Sequence, residues 1–241
     1  MILSKGYVMK NKAILEPYIM RFIMPEEIDQ VVSLQDHIYE LLPNKEIFYR
    51  DPKEMLLFEI ERGGRIIGVF NHANQMIAYR YISFPGESEY NLGLDIGLHE
   101  SEFKDVVHLE TTLVHPDYRG NRLQGLTLEK ALEWVVPFGY KHMLCTVSPY
   151  NYFSLNNIMK AGLNIKALKK KYGTPGEDDG LWRFILHKDI TSQCINNPSR
   201  FEALEMEKIK EQKVLIESGY VGYKLHKESH LIHYTQEFCQ N

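Results

Sequence analysis

One stretch, residues 106–125, constrains the architecture of this chain more than any other. An apolar strand, Val106-Val107-His108-Leu109-Glu110-Thr111-Thr112, runs into Leu113-Val114-His115-Pro116-Asp117-Tyr118-Arg119-Gly120-Asn121-Arg122-Leu123-Gln124-Gly125. Leu128, Ala131, Leu132 and Val135 then repeat at helical spacing, so a helix is predicted to about Phe138. A strand that turns sharply through Arg-Gly-Asn and opens directly into a helix does something specific with its backbone. It points several unpaired N–H groups and the positive end of a helix dipole at one spot, which is a site for phosphate oxygens.

The flanking sequence supplies more strands and helices. Tyr18-Ile19-Met20-Arg21-Phe22-Ile23 reads as the first strand. Pro25-Glu26-Glu27 starts a helix, with Pro at its first position and acids against the dipole, and Ile28, Val31, Leu34, Ile38 and Leu41 give it an apolar face. Asp51-Pro52-Lys53-Glu54 starts a second helix that Gly63-Gly64 stops. Residues 65–70 and 75–84 form two strands around Asn71-His72-Ala73-Asn74. In the polar stretch 85–104, Leu92, Leu94, Ile96 and Leu98 alternate with Gly93, Asp95 and Gly97, which predicts an extended segment or a loop laid over an apolar surface. Residues 141–147 are a strand, 152–161 a short helix ended by Gly162, and 164–172 and 181–188 two strands flanking a turn-rich loop. Two strand–helix–strand units at the centre argue for an α/β domain with a mixed sheet flanked by helices.

The last fifty or so residues continue differently. Asn197-Pro198-Ser199-Arg200 leads into a charged helix to about Ser218, Gly219 stops it, and residues 220–234 form one or two strands. Tyr220, Tyr223, Leu225, Leu231, Ile232 and Tyr234 are too many large apolar groups for a solvated tail. The expected organisation is one domain over 1–190 with a helix-plus-strand extension, 191–241, packed on it.

Bulk properties narrow the function classes. With 241 residues, 44% hydrophobic and 25% charged, the chain has ordinary globular composition. Its net charge of -4 lacks the basic footprint of a nucleic-acid binder. No apolar run is long enough to span a membrane, and the N-terminus lacks a signal-peptide pattern. Cys145, Cys194 and Cys239 are odd in number and far apart, giving neither a disulfide framework nor a zinc pattern; a reducing, cytoplasmic setting follows. His226, His230 and His233 lack metal-ligand spacing, so no metal is expected.

The segment Val114-His115-Pro116-Asp117-Tyr118-Arg119-Gly120-Asn121-Arg122-Leu123-Gln124 resembles the pyrophosphate-binding motif of the GNAT superfamily, the N-acetyltransferases that use acetyl-coenzyme A. That motif reads Val-x-Pro-x-Tyr-Arg-Gly-x-Gly-x-Gly and opens a helix. Val, Pro, Tyr, Arg and the first Gly match, while Arg122 and Gln124 stand where the later glycines would be. Backbone amides do not depend on side-chain identity, a side chain is tolerable where the positions are helical, and Arg122 adds charge to a phosphate site. A second match lies at Asn151, Lys160 and Gly162, with Ser154 for Ala and Leu163 for Phe. The resemblance implies a GNAT-like mixed central sheet, acetyl-coenzyme A as co-substrate, and a binding turn made of Arg119, Gly120, Asn121, Arg122, Leu123, Gln124 and Gly125. It also implies that Asn151, besides capping its helix, contacts the coenzyme. The tyrosine that often protonates the leaving thiolate in this family is replaced by Ile158.

Acetyl transfer to an amine needs a base for the amine's proton, donors for the thioester oxygen, and both reactants held together. By the resemblance, the backbone of Thr112, Leu113 and Val114 contacts the thioester. His108, Glu110 and Thr112 share one face of the strand by alternation. In the histone-acetyltransferase branch of the family the basic glutamate falls at the place of His108, and Glu110 is a step nearer the thioester; either is a candidate base, direct or through water. Cys145 sits among Met143, Leu144 and Val147 and reads as a buried, inert thiol. Tyr118 reads as a packing residue, and Tyr150 and Tyr152 as residues near an acceptor site. The expectation is an acetyltransferase acting on a small-molecule or peptide amine by direct attack, with a catalytically silent acyl-coenzyme A-binding or interaction domain as the alternative. Neither the acceptor nor the oligomeric state is encoded in any recognisable way.

Overall fold

The computed structural model describes residues 1–174, 179–191 and 198–236. Cys194 and Cys239, and the residues 175–178 of the turn-rich loop, lie outside the described residues. The chain divides into two compact units, one made of Met1–Phe84 and Leu109–Gly139, the other of Pro85–His108 and Tyr140–Asn241.

The first unit is an antiparallel run of strands carrying helices. Strands β1 (Ile2–Lys10) and β2 (Ile14–Phe22) form a hairpin. Its turn holds Asn11 and Lys12 at φ 50 and 58, the left-handed region that tight hairpins use. Strand β2 pairs with β3 (Arg65–Asn71), and β3 with β4 (Met76–Ser83), all antiparallel. Strand β5 (Val106–Val114) comes next to β4, and the boundary between the units falls within it, after His108. Helix α1 (Ile28–Leu41) buries Ile28, Val31, Leu34 and Ile38, the stripe its spacing predicts, while Leu41 at the end is exposed. These residues pack with Leu56 of α2 (Lys53–Glu61) and with Ile66, Phe70, Tyr79 and Tyr81 of the sheet. Each such aliphatic side chain contributes roughly 1.5–3 kcal/mol by leaving water. The helix that follows β5 is Leu123–Val135, numbered α4 below; of its predicted stripe it buries Leu128, Ala131 and Val135 and leaves Leu132 half-buried.

The second unit has a mixed sheet. The first residues of β5 pair in parallel with β6 (His142–Val147). Strand β8 (Leu181–Asp189) runs antiparallel between β6 and β7 (Asn164–Lys171). The short helix α3 (Gly93–Ile96) precedes β5, and α5 (Tyr152–Lys160) lies between β6 and β7. The C-terminal arm adds β9 (Glu202–Glu205), α6 (Ile209–Glu217), β10 (Val221–Leu225) and β11 (Leu231–Thr235). The order from β5 is β5-β6-β8-β7-β10-β11-β9, so the arm extends the sheet beyond β7.

Three elements differ from the sequence reading. Strand β1 was not anticipated, because its residues lack a clean apolar alternation and it is held by pairing with β2. Residues 93–96 are helical rather than extended; Leu92 is buried and Ile96 and Leu98 pack beside it, while Leu94 is 50% exposed. The extended reading fails because a helical turn breaks the alternation, while the contact with an apolar surface is present through Leu92, Ile96 and Leu98. The predicted charged helix begins later than expected. Glu202-Ala203-Leu204-Glu205 has helix-forming composition yet pairs with β11, tertiary pairing overriding local preference.

Candidate active site

The β5–α4 connection has the backbone that the sequence demanded. His115 donates its N–H to Ile77 O at 2.8 Å, and Pro116–Tyr118 make one 3-10 turn. Gly120 then takes φ 89 and Arg122 φ 59, and α4 begins at Leu123. The bend is left-handed at both positions. Glycine accepts this freely, whereas for arginine it is strained by roughly 1–2 kcal/mol. Gln124 is helical and meets no such constraint, so the two non-glycine positions of the motif differ physically. Leu126 N–H bonds to Arg122 O, so the amides before it have no carbonyl partner within the helix. A Cβ added at Gly120 or Gly125 would meet nothing within 4 Å, so the outer side of the turn has room for a bound group.

Buried polar groups hold this turn. Asn121 accepts Met9 N–H at 2.8 Å and donates to Met9 O at 2.8 Å and Tyr118 O at 2.9 Å, tying it to β1. Tyr118 is buried, and its hydroxyl accepts from Asn71 at 3.1 Å, a packing role as its sequence context suggested. Beneath the first turn of α4, the buried Arg80 guanidinium donates to Gln124 O at 3.1 Å and to Thr127 Oγ1 at 3.3 Å. Its fixed positive charge adds to the dipole of the helix N-terminus.

Strand β5 changes character along its length. Val106 to Leu109 are buried, and Glu110 to Val114 are half-buried, including the Thr112, Leu113 and Val114 backbone expected to meet a thioester. The Thr112 hydroxyl is buried without a hydrogen-bond partner among the described residues. Two carboxylates flank this segment. Glu110 accepts from the Ser83 hydroxyl at 2.7 Å. Asp51 Oδ2 accepts from the Thr111 hydroxyl at 2.7 Å. Burial, opposed by the Thr111 bond and reinforced by the charge of Glu110, pushes the Asp51 carboxyl up to about 7. Tyr79 and Tyr81 are buried alongside, and both hydroxyls are pushed well up, chiefly by burial and further by neighbouring acidic groups.

Asp51 is the residue that the sequence reading passed over. It had served there only as the start of a helix, yet the residue before α2 is Pro52, with no side-chain cap. Its partner Thr111 is out of phase with His108, Glu110 and Thr112, the face on which candidates were sought.

The remaining candidates lie in the second unit. His108 is 4% exposed, and its Nε2 accepts Leu92 N–H at 3.1 Å, pinning the segment before α3 to β5. Asn151 caps α5, its side chain accepting Ser154 N–H at 3.1 Å. Ile158, in the place of the family tyrosine, is buried in α5, and Cys145 is buried in β6. His226 and Phe201 each lie 4.1 Å, ring centre to ring centre, from His233, and Tyr152 stacks on His230 at 4.4 Å. Among the described residues no group of three or more His, Cys, Asp or Glu is arranged to hold a metal ion, and no helix is long and apolar enough to cross a membrane.

Comparison with known proteins bears on what this arrangement is. The family model described as the acetyltransferase (GNAT) family matches residues 20–162. No curated protein matches. Among solved structures, a putative acetyltransferase from Salmonella typhimurium with its cofactor acetyl-CoA is 13% identical with a TM-score of 0.53, over 75% of this chain and 98% of that one. A GNAT superfamily phosphinothricin acetyltransferase from Sinorhizobium meliloti in complex with AcCoA is 14% identical with a TM-score of 0.54, over 76% and 94%. A ribosomal-protein-alanine N-acetyltransferase from Brucella melitensis is 12% identical with a TM-score of 0.53, over 71% and 99%. At these identities the likeness is one of fold.

Proposed function

This chain belongs to the GNAT acetyltransferase family, and from that premise we propose that it moves an acetyl group from acetyl-coenzyme A to a primary amine by direct attack. The observation that carries the reading is the half-buried stretch of β5 running into the left-handed turn at Gly120 and Arg122 that opens α4. Acetyl-coenzyme A supplies an activated acyl group as a thioester. The amides of the turn, residues 119–125, and the Arg122 side chain hold its phosphates. The open space outside Gly120 and Gly125 is consistent with that use. The backbone of Thr112, Leu113 and Val114 lines the thioester, so that hydrogen-bond donors face the oxygen on which charge develops.

Of the two strand residues expected to act as base, Glu110 is the one that stays at the acceptor side of the strand, and it serves there to attract the amine. Its carboxylate lies beside the half-buried segment and draws a cationic amine toward it. His108 is assigned to its own unit, since its Nε2 already receives Leu92 N–H and its ring is buried. The acceptor is a small-molecule or peptide amine.

Thermal unfolding with acetyl-coenzyme A tests this. At a hundred times its dissociation constant the ligand stabilises the fold by about 2.7 kcal/mol, which for a chain of this size raises Tm by about 5–10 °C. Gly120→Pro should abolish the shift, because proline fixes φ near −65° and Gly120 sits at 89. A wild-type protein whose Tm ignores both coenzyme A and acetyl-coenzyme A would refute the reading.

A further inference from the structure

We propose that Asp51 is a catalytic residue of this transfer, taking the proton from the ammonium form of the acceptor, with Thr111 as the residue that positions its carboxylate. The inference rests on the acetyl-transfer reading and adds to it the group that activates the amine.

The geometry is that of a built site. Gln35, 1% exposed on α1, grips the Asp51 backbone from both sides. It accepts Asp51 N–H at 2.9 Å and donates to Asp51 O at 3.2 Å. A buried amide in the middle of an apolar helix face is costly unless satisfied, and here the loop residue satisfies it. The side chain is then fixed by Thr111, the residue next to the Thr112 backbone that lines the thioester. That bond uses Oδ2. The Tyr79 hydroxyl is a second polar group at this place. It is fully buried, feels the charge of Asp51, and has no hydrogen-bond partner among the described residues. Native interiors seldom leave such a hydroxyl unmet, and a functional role is one of the recognised reasons.

The charges around Asp51 are consistent with the task. Thr111 meets it from β5 and Gln35 from α1; the charge of Glu110 acts on Asp51, that of Asp51 acts on Tyr79 and Tyr81 of β4, and Glu59 of α2 also acts on Tyr81. The nearby cations are engaged elsewhere, Arg50 with Asp36 at 2.8 Å and Lys53 with Asp29 at 2.5 Å. Burial and Glu110 bring the Asp51 carboxyl up to about 7. A base of that strength is half ionised at neutral pH and takes a proton far more readily than an ordinary carboxylate. Glu110 lies on the strand beside it, accepting from the Ser83 hydroxyl.

The step balances. The ammonium loses one proton to Asp51, and the freed nitrogen lone pair attacks the acetyl carbon. The C–N bond forms, the C–S bond breaks, and the thiolate leaves with the sulfur electron pair. The second nitrogen proton ends on sulfur, giving an amide and a free thiol, and Asp51 returns its proton to water.

The test combines a titration with a pH–rate profile. Carboxyl-labelled aspartate, with Asp51 assigned by the resonance missing in Asp51→Asn, should titrate near neutral pH by carbon-13 NMR. Titration in the ordinary range near pH 4 would overturn the proposal. With n-butylamine or a lysine-containing peptide as acceptor, kcat/KM of the wild type should rise to a plateau through pH 7. Asp51→Asn should lose about 10²–10³-fold at pH 7, and the loss should shrink about tenfold per pH unit as the free amine, with a pKa near 10, becomes available. Acetyl-coenzyme A binding should stay within about twofold, Asp51→Glu should restore part of the activity, and Thr111→Val should move the plateau onset to higher pH. An acid limb that survives Asp51→Asn but vanishes in Glu110→Gln would assign the base to Glu110, leaving the acetyl-transfer reading intact. Wild-type protein that binds acetyl-coenzyme A and acetylates neither amine at any pH would overturn both.

Discussion

Asp51 is held in the folded protein at some expense to its stability. Its carboxyl ionises near 3.8 in an unfolded chain and near 7 in the fold, because burial disfavours the charged form. Between those values the folded state binds the extra proton, so folding weakens as pH rises through 7. Removing the charge should therefore stabilise the protein at high pH only. Asp51→Asn is expected to gain about 1–3 kcal/mol at pH 8, less than the full shift implies because Asp51 is partly exposed, and nothing near pH 4. Urea denaturation at the two pH values measures it; an equal change at both would mean that charge is not the cause. A residue that stabilises the protein when neutralised and disables it at the same time is what an active-site carboxylate looks like. Nothing local in the sequence marks it. Asp before Pro reads as a helix start, and its partner Thr111 is 60 positions away. Glu110 was a candidate because strand alternation puts it on one face with His108 and Thr112, a step nearer the expected thioester position. His108 had the same alternation, and its burial and its contact with Leu92 N–H distinguish the two.

The β5–α4 turn is the element that local chemistry states most openly. Its strand, its glycine and its helix period are all present within thirty residues, and they appear in the structure where the sequence puts them. The left-handed Arg122 is the exception. Its φ of 59 reproduces a conformation suited to glycine without the glycine, and other contacts over-determine it. Asn121 is the strongest of these, with its three hydrogen bonds to Met9 and Tyr118. Asn121→Ala would leave the Met9 amide and carbonyl without those partners. It should cost about 1–3 kcal/mol in urea denaturation and weaken acetyl-coenzyme A binding measured by titration calorimetry. Unchanged stability would show that water replaces the clamp. The strand that carries Met9 was invisible from sequence. Lys, Gly and Met interrupt β1, and its pairing with β2 is a property of two segments rather than one. The same applies to Glu202–Glu205, a strand only because β11 lies beside it.

At the scale of the whole chain, the backbone passes from the first unit to the second at Phe84, returns at Leu109, and leaves again after Gly139. Every element after Gly139 then belongs to the second unit, and the C-terminal arm is knit into it. Gly222 of β10 pairs with Ile165 of β7, and a Cβ at Gly222 would press on Ile165 and Tyr234 at 2.9–3.1 Å, so only glycine lets the two strands approach. Ile232 and Tyr234 are fully buried, and the Tyr234 hydroxyl donates to Gln212 of α6, which in turn donates to Glu205 O at 2.7 Å. His230 stacks on Tyr152 of α5. The apolar count in the sequence foretold that the arm folds; which strand it would join was a matter of topology that composition does not carry. A chain ending at Ile190 would leave β7 with an open edge and uncover Ile165, both hazards for solubility. Burial of Ile232 and Tyr234 alone is worth roughly 3–6 kcal/mol, a large part of a domain's net stability. The shortened chain is therefore expected to melt at least 10 °C lower or to aggregate, and acetyl-coenzyme A should restore little of the loss, since its proposed turn lies in the other unit. If that chain instead melts like the full protein and binds acetyl-coenzyme A equally well, the arm is a separable module, and the folding of β7 does not depend on the strand beside it.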